Sequence, residues 1–257
     1  MTDATPPGAG KTAVAVVSGG LDSAVLAYHL RDMGWQLRLL SFDYGQRHAR
    51  ELDCAHRLAQ RLAVAHDVVD LRAVGGLLSG SALTDDAVAV PEGHYTDATM
   101  RSTVVPNRNA IFVSVAVGVA VAERAQAVAL GIHAGDHPVY PDCRPAFVDA
   151  AQALAHVANH GFIADGFQLL TPLLHWSKSD IVRRAVEVGV PLADTWSCYR
   201  GGARHCGRCG TCVERREAFE LANIADPTDY EEPEGNRSEL DNNERGERGD
   251  QPSRGTA

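Results

Sequence analysis

Short apolar segments rich in β-branched residues alternate along the chain with longer segments in which apolar residues recur every three or four positions. The short segments predict strands at residues 13–17, 37–42, 65–71, 127–132 and 167–170. The longer segments predict helices that begin near residues 22, 46, 108, 145, 179 and 212. Because strand, helix, strand order joins parallel strands and covers both faces of a sheet, we predict a doubly wound α/β fold with a mostly parallel five-stranded sheet.

The loop after the first predicted strand has the composition of a phosphate-binding site. It consists of Ser18, Gly19, Gly20, Leu21, Asp22 and Ser23 and leads directly into a predicted helix. Glycines let the backbone approach a ligand closely, and a helix N-terminus favours an anion such as pyrophosphate. An ordinary capped turn is the alternative, but ligands of such sheets bind beyond the carboxyl ends of the strands. The position of the loop therefore favours phosphate binding. Asp22 is either a candidate ligand of Mg²⁺ or an ordinary acidic residue in the first helical turn.

Composition and charge narrow the class of protein. The 257 residues are 45% hydrophobic and carry a net charge of -9, which argues against a broad nucleic-acid-binding face. The run 110–122 is too short to cross a bilayer, and no signal-peptide pattern precedes the first strand, so we expect a cytoplasmic protein without a membrane partner. Polar composition predicts disorder at residues 1–11 and in an acidic tail at 231–257.

Four of the six cysteines lie close together near the C-terminus. They are Cys198, Cys206, Cys209 and Cys212, and their spacing lets four thiolates converge on one tetrahedral ion. In a reducing compartment this pattern indicates a closed, structural zinc site rather than disulfides. We therefore predict a zinc-binding helical subdomain at residues 191–230, which follows the nucleotide-binding domain at 12–190.

Several further strings accompany the phosphate loop, which by itself resembles the loop of the ATP-pyrophosphatase (PP-loop) superfamily. In chain order they read FDYGQRH at 42–48, VPNRN at 105–109, YPDCR at 140–144 and TPLLHWSKSD at 171–180. Together they resemble the 7-cyano-7-deazaguanine synthase family over about residues 12–230. One departure is Ala146, where that family leads us to expect an acidic residue.

The resemblance implies an adenine nucleotide alpha hydrolase-like fold and a carbon–nitrogen ligase of queuosine biosynthesis. Such an enzyme converts 7-carboxy-7-deazaguanine and ammonia to the nitrile. Removing two carboxylate oxygens requires two activations by ATP, through an adenylated carboxylate and an adenylated amide, with Mg²⁺ as the metal of the nucleotide. A homodimer is the assembly that the family leads us to expect.

The resemblance also implies roles for individual residues. Lys178, Arg108 and Asp22 are the catalytic candidates, because charge must be neutralised as pyrophosphate leaves. Substrate contacts are expected from the motif residues Tyr44, Gln46, Arg47, Asp136, Asp142 and Arg144. His133 and His137 flank Asp136 but receive no role, since a loop histidine is more often a structural hydrogen-bonding group.

Two other functions use the same motifs. A tRNA-thiolating enzyme of the superfamily would share the phosphate loop but would need reactive cysteines and a basic RNA-binding surface. A nucleotide-sensing or zinc-stabilised interaction protein would bind ATP without releasing AMP. The acidic composition opposes the first function, and the polar strings at several strand ends oppose the second.

Overall fold

The computed structural model describes residues 5–136 and 138–231, and these contain a five-stranded sheet. Its strands are β1 (Thr12–Val16), β2 (Gln36–Asp43), β3 (Ala65–Asp70), β4 (Ala127–Ala129) and β5 (Gln168–Leu170). The spatial order is β3-β2-β1-β4-β5, and every neighbouring pair is parallel. The predicted five-stranded parallel sheet is confirmed, although β4 ends three residues before the predicted boundary.

Eight α-helices occur within the described ranges. They are α1 (Leu21–Asp32), α2 (Arg50–Leu62), α3 (Arg72–Gly75), α4 (Asp97–Arg101), α5 (Arg108–Ala122), α6 (Pro145–Ala158), α7 (Lys178–Glu187) and α8 (Gly210–Ala222). Six correspond to predicted helices, whereas α3 and α4 are short additions between β3 and α5. No helix in this part of the chain combines the length and apolar character needed to cross a membrane.

The sheet is covered on both faces, as the alternating side chains of β1 show. Ala13 and Ala15 belong to a buried cluster with α1, α2, α7 and α8, whereas Val14 belongs to a second cluster with α5 and α6. This alternation follows from the two-residue period of a strand. Ala218 and Phe219 of α8 join the first cluster, so the C-terminal helix packs on the main core.

The position of β1 in the sheet determines where a ligand can bind. The chain passes from β1 to β2 and β3 on one side, and then returns to β4 and β5 on the other side. The connections after β1 and β4 therefore diverge to opposite faces and leave a crevice at the carboxyl ends of the strands.

The N-terminal segment differs from the predicted disorder where the structure describes it. The backbone N–H of Gly8 donates to the Met33 carbonyl at 3.0 Å, and Nζ of Lys11 lies 5.7 Å from the centre of the Trp35 ring. These contacts with the end of α1 and the start of β2 hold residues 8–11 in place. Residues 1–4 and most of the predicted acidic tail, 232–257, lie outside the described residues.

Candidate active site

A cavity opens beyond the carboxyl ends of β1, β2 and β4. Its walls include residues within three positions of the ends of these strands: Ser18 after β1, Tyr44 after β2 and Ile132 after β4. Among the predicted site residues, the cavity is lined by Ser18, Gly20, Leu21, Asp22, Ser23, Tyr44, Arg108, Asp136 and Lys178. The fold therefore gathers at one site residues that are distant in the sequence.

The phosphate loop is held by its own side chains. Oγ of Ser23 accepts the backbone N–H groups of Ser18 and Gly19, both at 3.2 Å, and donates to the Gly20 carbonyl at 3.1 Å. The first intrahelical hydrogen bond of α1 runs from Ala24 N–H to Gly20 O. The N–H groups of the first helical turn therefore point out of the helix, which suits an anion.

Gly19 shapes this loop without lining the cavity. It has a φ of +96°, and a Cβ atom at this position would lie 2.0 Å from the carbonyl oxygen of Glu51. A side chain would thus require both left-handed backbone strain and separation of the loop from α2. Glycine is the residue that allows the loop to pack against this helix.

Lys178 and Asp22 form an ion pair at the floor of the loop, with Nζ 2.8 Å from Oδ2. Lys178 is the first residue of α7, whose N-terminus is closed by a capping box between Ser177 and Asp180. Burial raises the pKa of Asp22, but the nearby Lys178 and His133 lower it by a larger amount. The pKa of Asp22 is therefore below its ordinary value. Both members of the ion pair are therefore charged at neutral pH.

Two further side chains complete this polar cluster, and the sequence assigned neither of them. Buried His133 places Nε2 3.2 Å from Nζ of Lys178, and its Nδ1 accepts the Gly135 N–H at 3.1 Å. Glu214 of α8 lies 3.6 Å from the Lys178 ammonium. His133 follows a strand end, which is a weak signal, whereas nothing in the sequence points to Glu214.

A second region of the cavity surrounds Arg108, the first residue of α5. The Tyr44 hydroxyl hydrogen-bonds to its guanidinium, and the carboxylates in the described ranges form no ion pair with it. Burial raises the pKa of Tyr44 to about 12 despite the lowering effect of Arg108, so the phenol is neutral. The aromatic side chains of Phe112, Tyr140 and Tyr199 also line this region. Within the described residues, this region is therefore a mostly aromatic wall that contains the Arg108 guanidinium, which has no carboxylate partner.

Four of the predicted substrate-binding residues do not line the cavity: Gln46, Arg47, Asp142 and Arg144. The Gln46 side chain bonds to the backbone of residues 42 and 44, which keeps the chain out of helix until Arg50. Arg47 donates to carbonyls of residues 85 and 88, and Arg144 donates to the carbonyl of residue 138. Asp142 accepts the Asn109 N–H at the start of α5. These residues hold the loops that carry the cavity-lining side chains.

The four predicted metal ligands converge. Cys198, Cys206, Cys209 and Cys212 are buried, and their sulfur atoms all lie within 4.8 Å of one another. Two of the separations are 3.9 and 4.0 Å, close to the sulfur–sulfur distance of about 3.8 Å around a tetrahedral zinc ion with Zn–S bonds of about 2.3 Å. All six cysteines are free thiols. The donor set therefore fits one closed metal site.

The cysteine cluster also carries part of the cavity wall. Trp196, two residues before the first ligand, donates its backbone N–H to the Gly19 carbonyl at 3.0 Å. Gly210, between the last two ligands, donates to the carbonyl of Pro91, and this contact brings Tyr95 against α8. Trp196 and Tyr95 both line the cavity. The cysteine cluster is thus connected to the phosphate loop through the Trp196–Gly19 hydrogen bond.

Comparison with known proteins agrees with this architecture. Residues 12–223 match the family model described as "Queuosine biosynthesis protein QueC". The 7-cyano-7-deazaguanine synthase of Brucella anthropi is 55% identical over 88% of this chain and 96% of its own length. The 7-cyano-7-deazaguanine synthase 1 of Mesorhizobium japonicum is 58% identical over 86% of this chain and 94% of its own.

Among solved structures, the NMN synthetase of Francisella tularensis has a TM-score of 0.47 at 15% identity, over 84% of this chain and 79% of that one. This structural likeness is too distant to indicate a substrate. The sequence relatives are close and nearly full length, and they carry the assignment. The chain therefore belongs to the queuosine biosynthesis protein QueC family, whose curated members are 7-cyano-7-deazaguanine synthases.

Proposed function

We propose that this protein is an ATP-dependent ligase that converts 7-carboxy-7-deazaguanine and ammonia to 7-cyano-7-deazaguanine. The observation that carries the proposal is the Lys178–Asp22 ion pair beside the phosphate loop, in the same cavity as the unpaired guanidinium of Arg108. One region suits the pyrophosphate of ATP, and the other suits an anionic, planar substrate. Family membership supports the same reaction.

In the first half-reaction, a carboxylate oxygen of the substrate attacks the α-phosphorus of ATP and the bond to pyrophosphate breaks. Ammonia then attacks the acyl carbon, and AMP leaves with the former carboxylate oxygen to give the amide. In the second half-reaction, the amide oxygen attacks a second ATP and pyrophosphate again leaves. Loss of AMP and of the remaining protons on nitrogen gives the nitrile.

Lys178 and the phosphate loop act on the departing pyrophosphate. The outward N–H groups of α1 bind its oxygens, and the ammonium compensates for the negative charge that develops on the leaving oxygen. Burial lowers the pKa of Lys178, but the carboxylates of Asp22 and Glu214 raise it more, to a value above the ordinary one. Lys178 therefore stabilises charge as a cation and does not act as a base at neutral pH.

Asp22 is the residue that would hold Mg²⁺. Its Oδ2 pairs with Lys178, whereas Oδ1 is buried and accepts no hydrogen bond from the residues described. An unpartnered carboxylate oxygen beside a phosphate site fits the oxygen ligation that Mg²⁺ requires. Bound there, the ion would neutralise charge on the phosphates of ATP.

The substrate is expected on the aromatic side. Arg108 would bind the carboxylate before its activation, and the rings of Tyr44 and Phe112 would contact the flat heterocycle. Asp136 lines the cavity between this region and the ion pair, where its Oδ2 is 3.6 Å from Nε2 of His133. We propose that Asp136 and His133 orient Lys178 and do not contact the heterocycle.

We propose that the four cysteines bind zinc with a structural role. Four thiolates complete a tetrahedral shell and leave no ligand position for a substrate. An iron–sulfur cluster is also compatible with four cysteines, and it would absorb visible light, unlike zinc. Metal analysis together with an absorption spectrum of anaerobically purified protein distinguishes the two.

A thiolation reaction is disfavoured by the cavity itself. Cys143 is the cysteine that lines it, and burial together with Asp136 raises the pKa of this thiol. A sulfur carrier needs a thiolate at neutral pH. Cys143 is thus suited to packing beside Asn109, whose side-chain amide donates to its sulfur at 3.2 Å.

The test is incubation of the metal-loaded protein with MgATP, ammonium and 7-carboxy-7-deazaguanine, followed by chromatography with mass detection. We expect the nitrile and AMP, with the amide as a transient species, and no nitrile when ammonium is omitted. Folded protein that binds ATP but releases no AMP with this substrate contradicts the proposal. Light scattering on the same sample tests the expected homodimer.

A further inference from the structure

The buried carboxyl group of Glu51 is the feature that the proposed mechanism leaves unused. Glu51 lies in the first turn of α2, is 7% exposed, and lines the cavity. Its Oε1 accepts from the Gln46 side-chain amide at 3.3 Å. Its Oε2 accepts no hydrogen bond from the part of the chain that the structure describes. A carboxyl oxygen is thus available to a ligand.

No positively charged side chain among the described residues forms an ion pair with Glu51. His48 places Nε2 3.5 Å from Oε1, but burial and the nearby Arg108 lower the pKa of His48 to about 3, so its ring is neutral. Burial raises the pKa of Glu51 to about 8, against the lowering effects of Arg108 and Gln46. A ligand that supplies hydrogen-bond donors at this position would favour the ionised form of the Glu51 carboxyl group.

A purely structural role for Glu51 is not sufficient to explain its position. Acidic residues in a first helical turn interact favourably with the helix dipole, but Asp53 is in the same turn and is exposed to solvent. A dipole interaction does not require burial at a cavity. Glu51 and Asp53 therefore form a natural pair for comparison.

The proposed substrate has the hydrogen-bonding groups that this arrangement lacks. One edge of a guanine-type ring presents two adjacent donors, the N1–H and the 2-amino group, and a carboxylate offers two acceptors at matching spacing. The 6-oxo group is an acceptor beside the 7-carboxylate, and a guanidinium bonds to such a pair of oxygens. Glu51 and the unpaired Arg108 thus have the chemistry to bind the two sides of one ring.

We propose that Glu51 is a specificity-determining residue that accepts hydrogen bonds from the N1–H and the 2-amino group of the 7-deazaguanine ring. This inference rests on the proposed function, because it assigns the recognition of that same substrate. Arg108 holds the 6-oxo group and the carboxylate, while Glu51 excludes rings that lack the donor edge. At neutral pH the free carboxyl group is protonated, so binding of the two donors releases this proton to solvent, and the resulting carboxylate accepts both hydrogen bonds.

The test is calorimetric titration of the metal-loaded protein with 7-carboxy-7-deazaguanine and with the analogue that lacks the 2-amino group. We expect the unaltered protein to prefer the amino compound by about 10- to 100-fold, the range expected for a paired set of hydrogen bonds. Glu51→Gln should reduce this preference to less than about 3-fold, because an amide offers one acceptor in place of two. Asp53→Asn should keep the original preference.

Two control measurements distinguish this role from others. The affinity for a non-hydrolysable ATP analogue should be the same in Glu51→Gln as in the unaltered protein, and an equal loss for ATP overturns the inference. N1-methylation of the substrate should weaken binding to the unaltered protein at least 10-fold, a result that does not depend on whether the variant folds. Full affinity for the methylated compound also overturns it.

The outcomes also separate this inference from the proposed function. If the unaltered protein converts 7-carboxy-7-deazaguanine with AMP release but Glu51→Gln keeps its preference, only the role of Glu51 fails. If the unaltered protein neither binds nor converts this compound, both the proposed function and the role of Glu51 fail.

Discussion

Nζ of Lys178 lies 2.8 Å from Oδ2 of Asp22, although 156 positions separate the two residues in the sequence. The contact exists because α1 and α7 pack on the same face of the sheet with their N-termini at the same edge. The contact joins the phosphate loop, which follows β1, to the ammonium group of the first residue of α7.

Replacing Lys178 by methionine should lower the rate of AMP formation by about 100-fold or more. The side chain keeps its length and apolar stem but loses the charge that compensates the leaving pyrophosphate. The rate is measured under single-turnover conditions with saturating ATP and 7-carboxy-7-deazaguanine. The sequence contains one other lysine, Lys11, so Lys11→Met is the matched control and should retain full activity. A Lys178→Met protein of normal rate would remove Lys178 from the mechanism.

Gly19→Ala should destabilise the protein by about 3 kcal/mol or more and abolish ATP binding. The new Cβ atom would lie 2.0 Å from the Glu51 carbonyl in addition to the strain of a positive φ. Gly161 has a φ of +83° but open space around it, so Gly161→Ala isolates the backbone strain, about 1–2 kcal/mol. Chemical unfolding and ATP titration of both variants test this. Equal losses in the two proteins would show that contact with α2 is unimportant.

Loss of the proposed metal ion should weaken ATP binding and lower the free energy of unfolding. Trp196 bonds to Gly19 and lies two residues from the ligand Cys198, so release of the metal should free the phosphate loop from one side. In Cys209→Ser we expect the melting temperature to fall by about 10 °C, equivalent to about 3–5 kcal/mol, together with weaker ATP binding.

The control for metal loss is Cys54→Ser, which alters a buried thiol outside the cluster. Its metal content should be unchanged. Tryptophan fluorescence on ATP addition reports the state of the loop without requiring turnover. Unchanged ATP affinity in metal-free, folded protein would contradict the predicted coupling.

Glu51 should make stability depend on pH. Its pKa is raised from 4.5 to about 8 in the folded protein, so folding favours the protonated form. The stabilisation that comes from the protonated form of Glu51 is complete below pH 4.5 and is lost as the pH rises to about 8. The free energy of unfolding changes by at most about 5 kcal/mol across this window. Relative to Glu51→Gln, the unaltered protein should therefore become less stable across this window. Urea unfolding of both proteins at pH 5.5, 7 and 8.5 measures the difference, and parallel pH profiles would refute the assignment.

The sequence alone determined the strand and helix order, the phosphate loop and the cysteine cluster. Each is a local pattern: a two-residue or near-four-residue apolar period, a glycine pair between a strand and a helix, or a fixed ligand spacing. The parallel sheet followed because this order of elements allows few topologies. Motif resemblance pointed to Lys178 and Arg108, and the structure places both side chains at the cavity.

Only the tertiary structure decided which polar side chains line the cavity. Gln46, Arg47, Asp142 and Arg144 stand in the motifs but bond to backbone groups, whereas His133 and Glu214 approach Lys178 from other segments. A motif specifies residues that are needed nearby, and it does not say whether a side chain turns toward the ligand or toward the loop that holds it. That direction is set by packing between helices far apart in the chain, a property that no local pattern contains.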